Sequence, residues 1–479
     1  MKLNTQSRTQ KLALTLLAAG GTLATQAQQK PFAAPGTGTP VPPVPAPKPA
    51  ASAPAAASAP AAAAPTPPAA KADVPAPEPG TLNRFFNCKH PDAIGKSRIH
   101  ADVRLRYEFA DQGPIGSGPD LDEANAFTVR TRIGLTTGSL YNFEAMVEGE
   151  NISVLGPEEN FNAAGSNGQP GKTVVPDPPT TELNQAWLKY SNWDTTVKGG
   201  RQEINLDNQR FIGSVAWRQN MQTLDAVSVE NHSVKDLSLY YSYFWDVHRI
   251  FGDVDGLPAA NEDFASDSHI IHASWDACKY GRLVGYTYLL DLENSAPASR
   301  NNSTATYGGY FAGTAPISEA VNIGYRAEFA WQTDYGNSPL NYQTEYYNLE
   351  AGINAKPFAA GVGYEVLGSD NRQGFRTPLS TLHAFNGWAD VFLATPSDGI
   401  QDYYGYLQYS VLPDMPVRLV FHQFTADNGG NNYGQEYGVL ITKKLGKHWS
   451  ALGKYAHYRA DDGPYPDVDK LWLEVTFKY

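Results

Sequence analysis

Hydrophobic and polar residues alternate along about eighteen short segments between Arg98 and Tyr479. The first segment shows the pattern: its odd positions from Ile99 to Phe109 are apolar or small. Its even positions are polar or charged: His100, Asp102, Arg104, Arg106 and Glu108. A period of two predicts β-strands whose two faces meet different surroundings. A slip of one residue would exchange the faces, so the charged row determines the strand register.

The connectors between these segments are alternately short and long. Strands are expected to start near Ile99, Phe127, Tyr141, Leu183, Thr195, Thr223, Leu237, His269, Arg282, Ser303, Ala320, Tyr342, Phe358, Gln401, Val417, Tyr433, Trp449 and Leu471. Long connectors are expected at 110–126, 153–182, 204–222, 248–268 and 369–400. This pattern predicts an all-β, transmembrane antiparallel barrel of about 18 strands, with short periplasmic turns and long external loops. A 16-stranded barrel remains open, because the segments 303–313 and 358–368 alternate least clearly.

The last segment ends on an aromatic residue. Leu471, Leu473, Val475, Phe477 and Tyr479 alternate with polar or larger residues, and the apolar row finishes with the chain. A terminal aromatic on an amphipathic strand resembles the signal that the outer-membrane assembly machinery reads. Pairing of this strand with the first one would remove two exposed sheet edges. Outer-membrane lipid and the assembly machinery are therefore expected partners.

Composition divides the chain into four parts. Residues 1–29 have the basic start, short apolar run and small residues of a secretory signal peptide. Residues 30–79 are rich in Pro and Ala and predict a disordered, extended spacer. Residues 80–97 are expected to form a periplasmic segment before the barrel, which occupies 98–479. This organisation predicts a location in the bacterial outer membrane.

Charge and cysteine content narrow the function further. The formal net charge of −12 argues against a nucleic-acid partner. The two cysteines, Cys88 and Cys278, are both expected on the periplasmic side. An oxidising compartment permits a disulfide between them, but two separate thiols are the simpler interpretation of the sequence.

Strand alternation places many charged residues on the luminal face. The predicted substrate path contains Arg104, Arg106, Arg130, Arg132, Glu144, Glu148, Arg326 and Glu328, and further luminal charges are Glu150, Lys189, Glu350, Glu365, Arg418 and Lys454. Guanidinium groups held in place by acids would suit an anionic or hydroxyl-rich solute. Alternatively, these charges neutralise one another and keep a wide barrel folded. The sequence leaves both interpretations open.

Residues 200–220 carry Arg201, Arg210 and Arg218 with several amides between them. Strict alternation from Val197 would aim Arg201 at lipid, so we expect a β-bulge at Gly199-Gly200 that turns it inward. The number of side-chain donors predicts that this segment folds into the lumen as a constriction.

The same segment resembles the alginate export family of outer-membrane barrels. The resemblance lies in its Gly-Arg-Gln start, its Arg-Phe-Ile-Gly centre and its Trp-Arg-Gln-Asn-Xaa-Gln-Thr-Leu-Asp end. It implies a monomeric pore whose arginine-lined constriction passes an acidic polysaccharide outward. The Pro/Ala-rich spacer is not part of that pattern.

The leading hypothesis is therefore a pore for an anionic, alginate-like polysaccharide or a related carbohydrate. A porin for small anions or carboxylates is the alternative within transport. An outer-membrane lipid hydrolase or acyltransferase, or a structural barrel tethered to the cell wall, are alternatives of other classes. We expect no enzyme activity, because the chain lacks a Gly-Xaa-Ser-Xaa-Gly motif. Nor do we expect a cofactor or a metal, since His269 and His272 would face opposite sides of one strand.

Overall fold

A computed structural model describes residues 92–116, 118–254, 257, 262–293 and 302–479. The predicted signal peptide (1–29), the spacer (30–79) and most of the pre-barrel segment (80–97), including Cys88, lie outside the described residues. Their predicted roles remain predictions. Cys278 is exposed at the end of a strand, and the alternative of a disulfide with Cys88 stays a prediction.

The described residues form one closed sheet of eighteen long strands. The strands are β1 (Arg98–Gln112), β2 (Ala124–Thr136), β3 (Phe143–Val154), β4 (Thr180–Asn192), β5 (Thr195–Gln202), β6 (Thr223–Asn231), β7 (Leu237–His248), β8 (Asp263–Cys278), β9 (Gly281–Leu290), β10 (Thr304–Pro316), β11 (Val321–Asp334), β12 (Gln343–Ala355), β13 (Phe358–Leu367), β14 (Ile400–Leu412), β15 (Met415–Thr425), β16 (Asn432–Leu445), β17 (Trp449–Ala460) and β18 (Val468–Lys478). The minor elements are a helix, α1 (Asp92–Gly95), a 3-10 turn (Glu158–Asn160) and the two-residue strands Leu292–Glu293, Ser369–Asp370 and Gln373–Gly374.

Each strand pairs antiparallel with the next one in the chain, and β18 pairs with β1. The closing ladder joins Asp102–Gln112 to Val468–Lys478, and the Tyr479 backbone extends it with two hydrogen bonds to Ala101. Closure satisfies the backbone groups that an edge strand would expose to hydrocarbon. The prediction of 18 strands is confirmed, and 16 strands are ruled out because β10 and β13 are paired on both sides.

In contrast to a soluble protein, the inner face of the sheet is polar and the outer face is apolar. On β1 the charged row is buried inside: Arg104, Arg106 and Glu108 are at most 7% exposed. Large apolar side chains face outward, with Ile133, Leu188 and Leu407 more than half exposed. This arrangement suits a barrel whose outer surface contacts lipid. Outward aromatic residues near the strand ends include Tyr141, Trp193, Trp275, Trp331, Tyr403, Trp449 and Tyr479, as in an interfacial girdle.

A search of the described residues for a membrane-crossing helix finds none of sufficient length and hydrophobicity.

The connectors alternate in length, as predicted. Those after even-numbered strands are tight turns: 137–142, 193–194, 232–236, 279–280, 317–320, 356–357, 413–414 and 446–448. The longest of the others are 155–179, 203–222 and 368–399. In outer-membrane barrels the short turns face the periplasm.

This orientation makes a topological prediction. Gly168 and Gly446 lie in connectors at opposite ends, and each has open space around it. An epitope inserted at Gly168 should bind antibody on intact cells, whereas one at Gly446 should bind only after permeabilisation. Antibody binding to the Gly446 epitope on intact cells would mean that the barrel has the opposite orientation in the membrane.

Candidate functional site

The luminal face of β1–β3 carries a ladder of ion pairs. The guanidinium of Arg130 donates to Asp102 at 2.6 Å, and Arg132 pairs with Glu150. Glu148 contacts the imidazole of His100 at 2.8 Å. Because the register alternates strictly, every member of this ladder points inward. The predicted inward positions of Arg104, Arg106, Arg130, Arg132, Glu144 and Glu148 are therefore observed, while their role in passage of a solute remains a proposal.

A second charged group lies across the lumen on β11. Arg326 pairs with Glu328 at 2.7 Å, and its guanidinium stacks on the ring of Tyr310 at 3.6 Å. Tyr286 donates its hydroxyl hydrogen to Glu328 at 2.8 Å. Arg326 and Glu328 are each 5% exposed. Both point inward as predicted, but they are covered by neighbouring side chains rather than lining open space.

The connector 203–222, called here the first inner segment, folds into the lumen. Arg104 binds it with three donors, which contact the Gln219 side chain at 3.0 Å, the Ala216 carbonyl at 3.1 Å and the Arg218 carbonyl. Gln219 in turn donates to Thr128 on β2 at 2.7 Å. Sequence reasoning predicted this inward fold. It did not predict that a strand arginine would bind the segment's backbone.

Six charged groups meet where the first inner segment contacts β1. Arg218 donates to Glu108 at 2.6 Å and lies 3.9 Å from Asp177, which comes from the connector 155–179. Arg106 lies 3.6 Å from Asp177 and pairs with Glu474 on β18. Arg106 and Arg218 pair with the acids Glu108, Asp177 and Glu474, and the third positive member, Arg104, donates to the Arg218 carbonyl and interacts electrostatically with Glu474. Their formal charges sum to zero, which is what a buried cluster requires.

The other end of the first inner segment contacts the opposite wall. Arg210 donates to Glu365 on β13 at 2.8 Å and to Asn386 at 2.9 Å. Phe211, next to it, packs on the rings of Tyr286 and Tyr346. Arg210 and Arg218 are 3% and 5% exposed. Both therefore hold the segment across the barrel through ion pairs.

A second inner segment, residues 375–399 between β13 and β14, packs against the first. Ile212 and Leu379 form a backbone bridge, and Gly213 donates to the Leu379 carbonyl at 2.8 Å. The sequence predicted this stretch as an external loop. Its many apolar residues were a signal against exposure, because an external loop would leave them in water. Phe375, Leu379 and Trp388 are at most 1% exposed.

His383 connects the second inner segment to both the wall and the first segment. Its ring stacks on Trp217 with 4.2 Å between centroids, and its Nε2 lies 2.7 Å from the Lys454 ammonium. Its Nδ1 lies 2.6 Å from Asp390. Burial lowers the pKa of His383 well below its usual value, which favours the neutral ring that its contact with the Lys454 ammonium requires. Neutral His383 accepts from Lys454 through Nε2 and donates to Asp390 through Nδ1.

Arg201 does not join this interior, so the predicted inward turn at Gly199-Gly200 is wrong. The backbone is distorted at Gly200, where φ is +120°, but pairing with β4 and β6 continues without a register shift. Arg201 stays on the outward face of β5 and forms an ion pair with Asp225 at 3.0 Å. Because Asp225 compensates its charge near the external end of the strand, Arg201 can stay on the outward face, and no bulge is needed to turn it inward.

The same outward cluster contains the one group of potential metal ligands found among the described residues. Asp225, Asp246 and His248 have ligand atoms within 4.8 Å of one another. Both Asp225 oxygens accept from Arg201, and one of them also contacts His248 at 2.9 Å. A cation would have to displace this arginine. His269 and His272 face opposite sides of β8 as predicted, with His272 bound to Asp207 and His269 to Tyr241.

On the periplasmic side of the two inner segments, the lumen is accessible to solvent. Basic residues outnumber acidic ones on its wall. The basic residues are Arg98, Lys189, Lys198, Arg282, Arg418, Lys444 and Lys478, and the acidic ones are Asp102, Glu144, Glu230 and Asp276. Seven positive and four negative groups leave a surplus of three positive charges. These side chains are partly or largely exposed to solvent, whereas the arginines nearer the inner segments are buried.

An apolar groove lies on the outer surface over β11–β16. This shallow, open groove has a volume of about 680 Å³ and forms where the small residues Ala351, Ala360 and Gly405 lie among larger outward side chains. Its apolar lining faces lipid, so it plays no part in the luminal site.

A family model described as alginate export matches residues 96–367. The match runs from just before β1 to the last residue of β13. It includes the first inner segment and ends before the second. A comparison with curated protein sequences finds no match.

Solved structures of outer-membrane proteins share the fold. Pseudomonas aeruginosa OpdL aligns with a TM-score of 0.59 and 15% identity, covering 81% of this chain and 99% of its own. P. aeruginosa OpdK, determined with vanillate, aligns with a TM-score of 0.62 and 12% identity over 80% and 98% of the two chains. Acinetobacter baumannii OccAB4 aligns with a TM-score of 0.60 and 14% identity, covering 80% of this chain and 98% of its own. At these identities the likeness concerns the barrel architecture.

Proposed function

Because the chain belongs to the alginate export family, whose barrels are outer-membrane pores, we propose that it passes an anionic, alginate-like polysaccharide from the periplasm to the outside. The pore and its outer-membrane location follow from the family and the fold. The solute and the direction are the proposal. We further propose a monomer that needs no cofactor, since the path lies within one closed barrel.

The observation that carries this proposal is the surplus of accessible positive charge in the periplasmic half of the lumen. A charged cleft with low-dielectric walls concentrates ions of opposite sign. Rings of Arg and Lys select anions in pores. A polyanion arriving from the periplasm would therefore enter readily.

The external end has the opposite charge. In the described connectors 113–123, 155–179 and 461–467, the exposed acidic residues are Asp120, Asp122, Glu123, Glu158, Glu159, Asp461, Asp462 and Asp467, against one basic residue, Lys172. An acidic rim repels a polyanion that approaches from outside. The asymmetry of charge supports export rather than uptake.

A porin for small carboxylates is a second candidate. The inner segments fill much of the lumen with buried side chains, which favours a narrow path and small solutes. OpdK, one of the structures with a similar fold, was determined with vanillate, a small carboxylate. The two candidates differ in how binding should depend on chain length.

Planar-bilayer recordings test both candidates. We expect anion selectivity that weakens as salt rises, since screening lengths shrink to about 3 Å at 1 M. Oligouronates added on the periplasmic side should block current more strongly with each added sugar, while neutral oligosaccharides block weakly. Block by monomeric carboxylates alone, without length dependence, would favour the small-solute porin and contradict polysaccharide passage.

A charge-removal variant makes the test specific. R98Q/K444Q/K478Q removes three luminal charges at the periplasmic mouth and should reduce anion selectivity and oligouronate block. K279Q/K443Q/K447Q removes three charges at the same end but outside the lumen and should behave as wild type. Equal selectivity in all three proteins would refute the role of the luminal charge.

A further inference from the structure

Trp187 is an unusual residue for the wall of a charged lumen. It lies on the inward face of β4, level with Met146 on β3 and Gly200 on β5, and it is partly exposed. Gly200 has no side chain, so the β5 position next to Trp187 places no side chain in the lumen. A partly exposed indole on the inward face can contact a passing solute.

Two lysines flank this indole. Lys189 and Lys198 are direct cross-strand partners on β4 and β5, and their ammonium groups lie 5.9 and 5.6 Å from the Trp187 ring centroid. Like charges directly opposite in a ladder destabilise a sheet, so their placement has a cost. The indole offsets part of that cost through cation–π contact.

The two lysines differ in how they are compensated. Lys189 forms an ion pair with Glu144 at 2.8 Å. Within the described part of the chain, no carboxylate lies within ion-pair distance of Lys198, although Glu203 and Glu230 act on it electrostatically at longer range. Most of the buried luminal arginines above are bound to carboxylates. A partly exposed ammonium without an ion-pair partner, beside a partly exposed aromatic ring, is therefore a distinct feature of this wall.

We propose that Trp187, Lys189 and Lys198 form a binding subsite for one uronate unit of an acidic polysaccharide. The inference rests on the proposed function and adds a location to it. The apolar face of a sugar ring, with its C–H groups, would pack on the indole, and the carboxylate would accept hydrogen bonds from the ammonium groups. A small carboxylate would use the lysines alone, and a neutral sugar would use the indole alone.

Calorimetric titration of the detergent-solubilised full-length protein with a hexauronate tests this subsite independently of conductance. K189Q/K198Q should weaken hexauronate binding about tenfold, as expected for two partly exposed ion pairs, and leave binding of a neutral hexasaccharide unchanged. W187L should weaken binding of both oligosaccharides by roughly threefold to tenfold. E144Q, which frees Lys189 from its acid, should strengthen hexauronate binding.

K443Q/K447Q is the matched control, because it removes two positive charges at the same end of the barrel outside the lumen. It should bind hexauronate as wild type does. If wild type binds hexauronate and the Trp187 and lysine variants bind it equally well, the subsite is wrong while the proposed function stands. If wild type binds no hexauronate, the proposed function itself fails.

Discussion

Replacing residues 206–219 with a short Gly/Ser linker is expected to raise single-channel conductance several-fold and to weaken solute discrimination. These residues form the part of the first inner segment that crosses the lumen from Asp207, bound to His272, to Arg218, bound to Glu108. The barrel should still assemble, because Gln202 pairs with Leu224 and a short linker can join the two strands. The wall charges released by the deletion would be hydrated by luminal water.

Single-channel recording in planar bilayers, after confirmation of heat-modifiable barrel assembly, measures this effect. Deletion of residues 164–171, at the tip of another long connector, is the matched control. This tip lies beyond the bridge between Asn162 and Val174 and forms no backbone hydrogen bond with the inner segments in the described structure. An assembled 206–219 variant with wild-type conductance would show that the first inner segment does not limit the path.

The second large effect is expected for Arg218→Met. The substitution leaves Glu108 and Asp177, both about 1% exposed, with one positive partner fewer in a cluster that otherwise sums to zero. Removing one member of a buried ion-pair group costs about 3–5 kcal/mol, because the remaining charge stays desolvated. Equilibrium unfolding by urea in detergent micelles, or the temperature of the heat-modifiable gel shift, reports the loss.

Arg201→Met provides the matched control from the same stretch of sequence. Its ion pair with Asp225 is partly exposed, and such pairs contribute about 0–1 kcal/mol. The double variant R218M/D177N restores neutrality and should recover part of the lost stability. A loss for Arg218→Met no greater than that for Arg201→Met would mean that the cluster is hydrated and does not brace the segment.

The barrel could be predicted from the sequence because a lipid-facing strand has little freedom. Alternation along β1 and β18 predicted their register, since a charge facing hydrocarbon costs roughly 2–4 kcal/mol at the midplane for Arg. All eighteen strands lie where predicted, with starts that differ by a few residues. The largest difference is at β8, which starts at Asp263 rather than His269 because its external end continues past a bulge.

The candidate site was predicted in part. Arg210 and Arg218 are inside the barrel, but their partners are Glu365 and Glu108, more than a hundred residues away in the chain. Arg201 was assigned to the wrong face, because the two adjacent glycines suggested a bulge that the ladder does not contain. The acid that compensates it, Asp225, becomes its neighbour through strand pairing.

Local periodicity by itself determined the inward and outward faces and the alternation of connectors, and it narrowed the strand number to 18 or 16, because each strand must satisfy lipid on one side and polar groups on the other. The tertiary structure alone decided how the connectors fill the lumen. The second inner segment, the neutral His383 and the six-charge cluster depend on contacts between distant residues. Such contacts form where buried charges find partners, and no local pattern records which partners those are.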